Sequence, residues 1–138
     1  VSIVRSYLKM GNVLVVEDDP ATREMLQRTL EKESLQVRTA ENGRIALDRI
    51  GEEIPGAVLL DLMMPEMDGF EFLRELRARP EWRDIPVVVL TAKELTSEDR
   101  LALEGMVGKV LQKNACGKEE LLREVRNLAV TRPAPEPA

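Results

Sequence analysis

Ala57-Val-Leu-Leu-Asp61-Leu-Met-Met-Pro65-Glu-Met-Asp68-Gly69 is the stretch that decides how this chain folds. Its apolar run meets a carboxylate, Asp61, and the chain then turns through Pro65 and Asp68-Gly69. An unbroken apolar run of this length, bounded by turn residues, reads as a strand buried on both faces, the habit of parallel sheets covered by helices. Open sheets of that kind bind their ligands outside the carboxyl ends of the strands. Position alone therefore marks Asp61 as a candidate ligand or nucleophile.

Two further runs share the pattern. Asn12 to Val16 ends in Glu17-Asp18-Asp19, and Val87 to Leu90 ends in Thr91-Ala92. Two weaker candidates, Gln36 to Ala40 and Lys109 to Lys113, are of mixed polarity, and the first alternates as a strand with one wet face does. Helical periodicity fills the gaps. One helix starts at Pro20 with Asp19 as its cap and carries Met25, Leu26 and Leu30 on one stripe. A short one follows the Asn42-Gly43 turn, from Ile45 to Ile50, with Ile45, Ala46 and Ile50 apolar. The helix from Gly69 to Ala78 is expected to bury Phe70, Leu73 and Leu76. Thr96 and Asp99 have capping-box spacing, but the stripe after them (Leu101, Leu103, Met106) is ragged, so a short or weakly packed helix is expected. The last helix, Lys118 to Ala129, presents Leu121, Leu122, Val125, Leu128 and Ala129. Trp82, between Pro80 and Pro86, reads as a surface or loop anchor.

Five strands alternating with five helices call for an α/β fold, a doubly wound parallel sheet in a flavodoxin-like three-layer sandwich. The wholly apolar strands belong in the middle and the mixed ones at the edges. With right-handed crossovers, order 2-1-3-4-5 meets that requirement. Its switch point then falls between the first and third strands, beside Glu17-Asp18 and Asp61. The domain is expected to span residues 12–129. Residues 1–11 form an N-terminal extension and 130–138 a Pro-rich, disordered or linking tail.

With 138 residues, 43% of them hydrophobic, the chain suffices for one domain with a real core. A net charge of −5 lacks the basic footprint of a direct nucleic-acid binder. No apolar run reaches the length of about 18 residues that a membrane span needs. The first residues, with Arg5 and Lys9, do not read as a signal peptide, so the expected setting is cytoplasmic. The single cysteine, Cys116, reads as a small, partly buried residue. There is no histidine, which removes Ser-His-Asp and Cys-His catalysis and the commonest zinc sites.

Three carboxylates meeting at one sheet edge repel one another and need protons or a cation. A hard divalent ion suits oxygen ligands, and Mg²⁺ is usually held by one or two carboxylates with waters and phosphate. Thr91, ending the fourth strand, offers a hydroxyl, and Lys113, ending the fifth, a point charge. An Asp nucleophile in such company suits phosphoryl transfer, which runs on positioning and charge neutralisation. A flavin-binding domain of this architecture would want a hydroxyl- or glycine-rich phosphate loop where Glu17-Asp18-Asp19 stands. A haloacid-dehalogenase-type phosphohydrolase would commonly want a second Asp where Met63 stands. An interaction module of this architecture that works without phosphorylation is the remaining rival.

Over roughly Asn12 to Ala129 the chain resembles a receiver domain of the response-regulator family of two-component phosphorelays, most nearly the receivers of hybrid sensor kinases. The resemblance is carried by Val15-Val16-Glu17-Asp18, Asp61-Leu-Met-Met-Pro65-Glu-Met-Asp68-Gly69, Thr91-Ala92 and Lys113. It implies that Asp61 accepts a phosphoryl group from the phosphohistidine of a histidine kinase or histidine phosphotransfer protein. It further implies Mg²⁺ held by Asp18, Asp61 and the backbone carbonyl of Met63, with Glu17 assisting through water. Thr91 and Lys113 would bind the phosphoryl oxygens. Such a domain catalyses only its own phosphorylation and dephosphorylation, and acts as a switch, a relay or a phosphate sink. It leaves room for a homodimer through the face of the last helices. Two positions depart from the family pattern: Asn114 stands where proline is usual, and Val110 where an aromatic is usual. Readout is therefore expected to move the Lys93–Thr96 loop and the weak helix after it rather than Val110. Lys93, two residues past Thr91, is expected to approach the phosphoryl oxygens and alter the lifetime of the modification.

Overall fold

A computed structural model of the chain describes residues 12–131 apart from 65, 114 and 116. The expected N-terminal extension, most of the tail, the turn at Pro65 and the readings of Asn114 and Cys116 lie outside these residues. So does the expected burial of the Leu128 and Ala129 side chains. The elements in chain order are β1 (Asn12–Val16), α1 (Pro20–Glu31), β2 (Gln36–Ala40), α2 (Gly43–Glu52), β3 (Ala57–Leu60) and α3 (Gly69–Ala78). A 3₁₀ turn (Pro80–Trp82), β4 (Val87–Thr91), α4 (Ser97–Leu103), β5 (Lys109–Gln112) and α5 (Lys118–Thr131) complete it. All pairings are parallel and the strand order is β2-β1-β3-β4-β5. This is the expected doubly wound fold.

Side chains alternate across a strand, and the alternation splits the core in two. Leu14, Val16, Val58, Leu60, Val87 and Val89 face Ala46, Ile50, Phe72, Leu73, Leu76 and Leu103 of α2, α3 and α4. Val13, Val15, Leu59, Val88 and Leu90 face Leu26, Leu30, Leu121 and Val125 of α1 and α5. Every residue of β1, β3 and β4 is buried, which is why those runs carry no alternation in the sequence.

Capping follows local chemistry. The Asp19 carboxylate accepts from the Thr22 N–H at 2.9 Å, with Pro20 opening the helix. Thr96 and Asp99 form a complete capping box at α4. Asn42 does more than turn the chain: its Oδ1 accepts from the Ile45 N–H at 2.9 Å, so α2 begins earlier than its apolar residues suggest.

Four expectations need correction. In α3 the buried stripe is Gly69, Phe72, Leu73 and Leu76, the i, i+3, i+4, i+7 series, and Phe70 sits on its flank, half-buried. In α1, Thr29 completes the buried stripe with Leu26 and Leu30, while Met25 is 52% exposed. Trp82 is no surface anchor: it is buried in the core beneath the 3₁₀ turn, with the Arg79 guanidinium 4.7 Å from its ring centroid. In β2 only Gln36 is exposed; the polar Arg38 is half-buried and donates to the Arg49 and Glu53 carbonyls at the end of α2.

Phe72→Ala should therefore cost about 3–5 kcal/mol, as large-to-small changes in a core do, and Phe70→Ala much less. Urea unfolding of the two variants measures the difference.

Candidate functional site

At the carboxyl ends of β1 and β3 the backbone ladder runs on past the strands. The Glu17 N–H donates to the Ala40 carbonyl at 3.0 Å and the Asp61 N–H to the Val16 carbonyl at 3.0 Å. These bonds fix two buried acidic residues side by side, with Asp18 nearer the solvent. One carboxylate oxygen from each of Glu17, Asp18 and Asp61 lies within 4.8 Å of the others. From the far edge strand, the Lys113 N–H donates to the Thr91 carbonyl at 2.9 Å. Its ammonium reaches Glu17 Oε1 at 2.6 Å and Asp61 Oδ2 at 3.5 Å. Thr91 is fully buried at the end of β4. The expected site residues, Glu17, Asp18, Asp61, Thr91 and Lys113, thus converge on one sheet edge. Met63 follows on the loop, its N–H donating to Asp61 Oδ1 at 3.3 Å and its side chain exposed.

Burial pushes the Glu17 carboxyl up, and the negative charge of Asp61 adds to it. The hydrogen bond from Lys113 opposes both, and the result is a pKa raised from 4.5 to about 7. Burial works against the Lys113 ammonium in turn. The hydrogen bond to Glu17 and the charges of Asp61 and Glu17 outweigh it and hold the ammonium above its ordinary range. The Lys113 ammonium thus pairs with both buried carboxylates.

Two supporting residues escaped the sequence reading. Arg23, on the first turns of α1, donates from Nη1 to the Glu17 carbonyl at 3.0 Å and the Asp18 carbonyl at 3.2 Å, bracing the acidic loop. Nothing in the sequence pattern distinguishes it from a solvated helix arginine. Gly69 reads as turn chemistry, yet its role is closeness: a Cβ there would lie 2.7 Å from Leu62 Cα and 2.9 Å from the Asp61 carbonyl oxygen. The start of α3 can approach the Asp61 strand end only without a side chain. The loop between them also holds Glu66 in the left-handed region, at φ 65°.

Beside Asp18, the outermost of the three acidic residues, opens a groove of about 580 Å³, lined also by Met63, Met64, Asp68, Phe70 and Lys93 among others. The Lys93 N–H donates to Thr91 Oγ1 at 3.1 Å, and its ammonium pairs with Asp99 at 3.3 Å.

Residues 13–126 match the family profile described as the response regulator receiver domain. The chain belongs to that family. In sequence it is 43% identical over 116 residues to the response regulator MprA of Mycolicibacterium vanbaalenii, covering 84% of this chain and 49% of that protein. The receiver thus spans about half the length of the curated relatives it matches. In structure it resembles the signal receiver domain of a histidine kinase from Syntrophus aciditrophicus. The TM-score is 0.81 at 30% identity, with 93% of this chain and 96% of that chain covered. It also resembles the receiver domain of a Pseudomonas aeruginosa sensor histidine kinase whose structure holds a magnesium ion in the active site cleft. There the TM-score is 0.76 at 26% identity, covering 86% of this chain and 96% of that one. Histidine-kinase receivers are thus among the receiver's structural neighbours, as the resemblance implied.

The receiver's donor set fits a hard divalent ion: three carboxylates, two of them buried. No described helix is long and apolar enough to cross a membrane.

Glu17 binds a proton more tightly when folded than when unfolded. Its contribution to stability is therefore full below about pH 4.5 and is lost as pH rises through about 7. Glu17→Gln should flatten this acid-favoured slope between pH 4.5 and 8 in metal-free buffer, as read from urea midpoints across that range.

Proposed function

We propose that this receiver accepts a phosphoryl group on Asp61 from a phosphohistidine, carried by a histidine kinase or a histidine phosphotransfer protein. A carboxylate oxygen of Asp61 forms the new P–O bond as the P–N bond of the donor breaks, and the departing electron pair stays on the imidazole nitrogen. The observation that carries the reading is the placement of Asp61: buried at a strand end, between the Glu17–Asp18 pair and the Lys113 ammonium. The chain has no histidine, so it can receive from a phosphohistidine and cannot itself be that donor.

Asp18, Asp61 and the Met63 carbonyl would hold Mg²⁺, with Glu17 assisting through water. Mg²⁺ neutralises the carboxylates and the phosphoryl oxygens that must approach them. The Met63 N–H already fixes one oxygen of Asp61, leaving the carboxylate oriented for attack. Lys113 sits 3.5 Å from the other oxygen and needs only a small movement to reach a phosphoryl oxygen. The Thr91 hydroxyl accepts from the Lys93 N–H and can donate its own proton to a phosphoryl oxygen. Charge neutralisation and positioning are the whole of the catalysis. The domain acts on no external substrate beyond its phosphodonor, and its setting in this proposal is the cytoplasm. A net charge of −5 supports a protein rather than a nucleic-acid partner.

Labelling from a small acyl phosphate such as acetyl phosphate tests this. Asp61→Asn should abolish incorporation, excess chelator should suppress it at least about tenfold, and Asp18→Asn should mainly raise the Mg²⁺ concentration needed. Full labelling of Asp61→Asn, or indifference to chelator, would sink the assignment.

Readout is proposed to pass through the segment from Lys93 to Met106, because Val110 is a stiff, half-buried side chain with little area to move. Amide exchange with and without beryllofluoride should change in that segment and not on β5. The opposite distribution would exclude it, and no change anywhere would favour a phosphate sink.

A further inference from the structure

Lys93 belongs to two places at once. It lines the groove beside the acidic site, together with Asp18 and Met63. Its ammonium nevertheless turns away to Asp99 Oδ2 at 3.3 Å. That same oxygen accepts the Thr96 N–H at 3.1 Å, while the Asp99 N–H donates to Thr96 Oγ1 at 3.0 Å. Lys93 is thus paired with a residue in the first turn of α4 that forms half of its capping box. Its backbone is tied to the site as well, through the hydrogen bond from its N–H to Thr91 Oγ1.

A single ammonium on a flexible stem cannot serve both an anion in the groove and Asp99. With the groove free of phosphate, the nearest available carboxylate is Asp99. The hydrogen bonds from Thr96 and the charge of Lys93 hold that carboxyl below its usual range, so it stays ionised and available as a partner. A phosphoryl group on Asp61, whose carboxylate clusters with that of the groove residue Asp18, places a more concentrated negative charge next to the groove. Both partners are partly exposed, 35% for Lys93 and 21% for Asp99, so the pair is weak enough to be exchanged.

We infer that Asp99 is a positioning residue for the phosphorylated site: it competes with the Asp61 phosphoryl group for Lys93, and the exchange of this one ammonium couples the modification to the start of α4. This rests on the reading of Asp61 as the phosphoacceptor. Phosphorylation draws Lys93 off Asp99 and removes the cation that ties the 92–96 loop to α4. By reciprocity, whatever holds Asp99 and Lys93 together weakens the hold on the phosphoryl group by the same factor.

The test is a double-mutant cycle on binding of beryllofluoride with Mg²⁺, followed by calorimetry on the whole chain. Asp99→Asn keeps an oxygen for the Thr96 N–H and releases Lys93. It should tighten binding about threefold, the scale of a partly exposed ion pair. Lys93→Ala should weaken binding by a similar factor. The double variant Lys93→Ala, Asp99→Asn should match Lys93→Ala alone, because Asp99 then has nothing to withhold. If Asp99→Asn tightens binding equally without Lys93, the effect is that of removing a negative charge from the neighbourhood, and the competition is refuted. Unchanged binding in Asp99→Asn refutes it too. Failure of the parent chain to bind beryllofluoride, or binding that survives Asp61→Asn, instead overturns the phosphoacceptor reading, and the inference falls with it.

Discussion

Two buried carboxylates at the ends of neighbouring parallel strands repel each other, and most of what surrounds Glu17 and Asp61 is an answer to that repulsion. At a separation of roughly 5 Å and an effective dielectric constant of about 20, that pair costs on the order of 3 kcal/mol when both are ionised. The strand order creates the problem, since only with β1 beside β3 do these acids become neighbours. The same order supplies the remedy. Lys113 arrives from β5, an edge strand on the far side of β4, so its stem must cross the end of β4. That strand ends in Thr91, whose side chain is small. Arg23 adds a second positive charge, placed on the carbonyls of the acidic loop rather than on its carboxylates. Lys113 offsets part of the negative charge and leaves the site short of positive charge: one ammonium faces two buried carboxylates and Asp18. A divalent ion fits that deficit, and so does a phosphodonor that arrives with one.

Much of this was legible in the sequence, for a physical reason. A strand buried on both faces must be apolar throughout, so the runs at Val13, Val58 and Val87 disclosed the interior of the sheet, and the mixed runs at Val37 and Val110 its edges. Since parallel strands present their carboxyl ends together, the residues that close those runs had to meet. Capping chemistry is equally local, and Asp19 and the Thr96–Asp99 box are where their spacing puts them.

What escaped depends on contacts between segments. The phase of a helical stripe is ambiguous when apolar residues flank it. Phe70 and Phe72 differ by two positions, and only the approach of Gly69 to Leu62 decides which of them faces the sheet. Trp82 lies between two prolines in a polar loop, and only the 3₁₀ turn folds it inward over the core. Arg23 and Arg77 are ordinary charged residues in sequence, and Asp99 shows there only as part of a cap. Their roles come from carbonyls or an ammonium that tertiary folding brings alongside.

The same contacts set where this receiver can move. Of α4's seven residues only Leu103 is buried, and Leu101 is 68% exposed. Hydrophobic burial thus holds α4 far less firmly than α3, which buries Phe72, Leu73 and Leu76. Its ends are held by polar side chains instead. The capping box and the Lys93–Asp99 pair fix the start. Arg77, reaching over from α3, donates from Nε and Nη2 to the Met106 carbonyl just past the end. A segment held by few apolar contacts and by exchangeable charges lies at the low end of local stability. Such a segment responds to a change in charge that a packed strand ignores. Leu111 of β5 is buried in the α1–α5 side of the core, and Val110 has one χ angle to turn. In the proposed switch α4 is therefore the element whose position a phosphoryl group on Asp61 would bias, because its anchors are made of the same interactions that the charge would disturb.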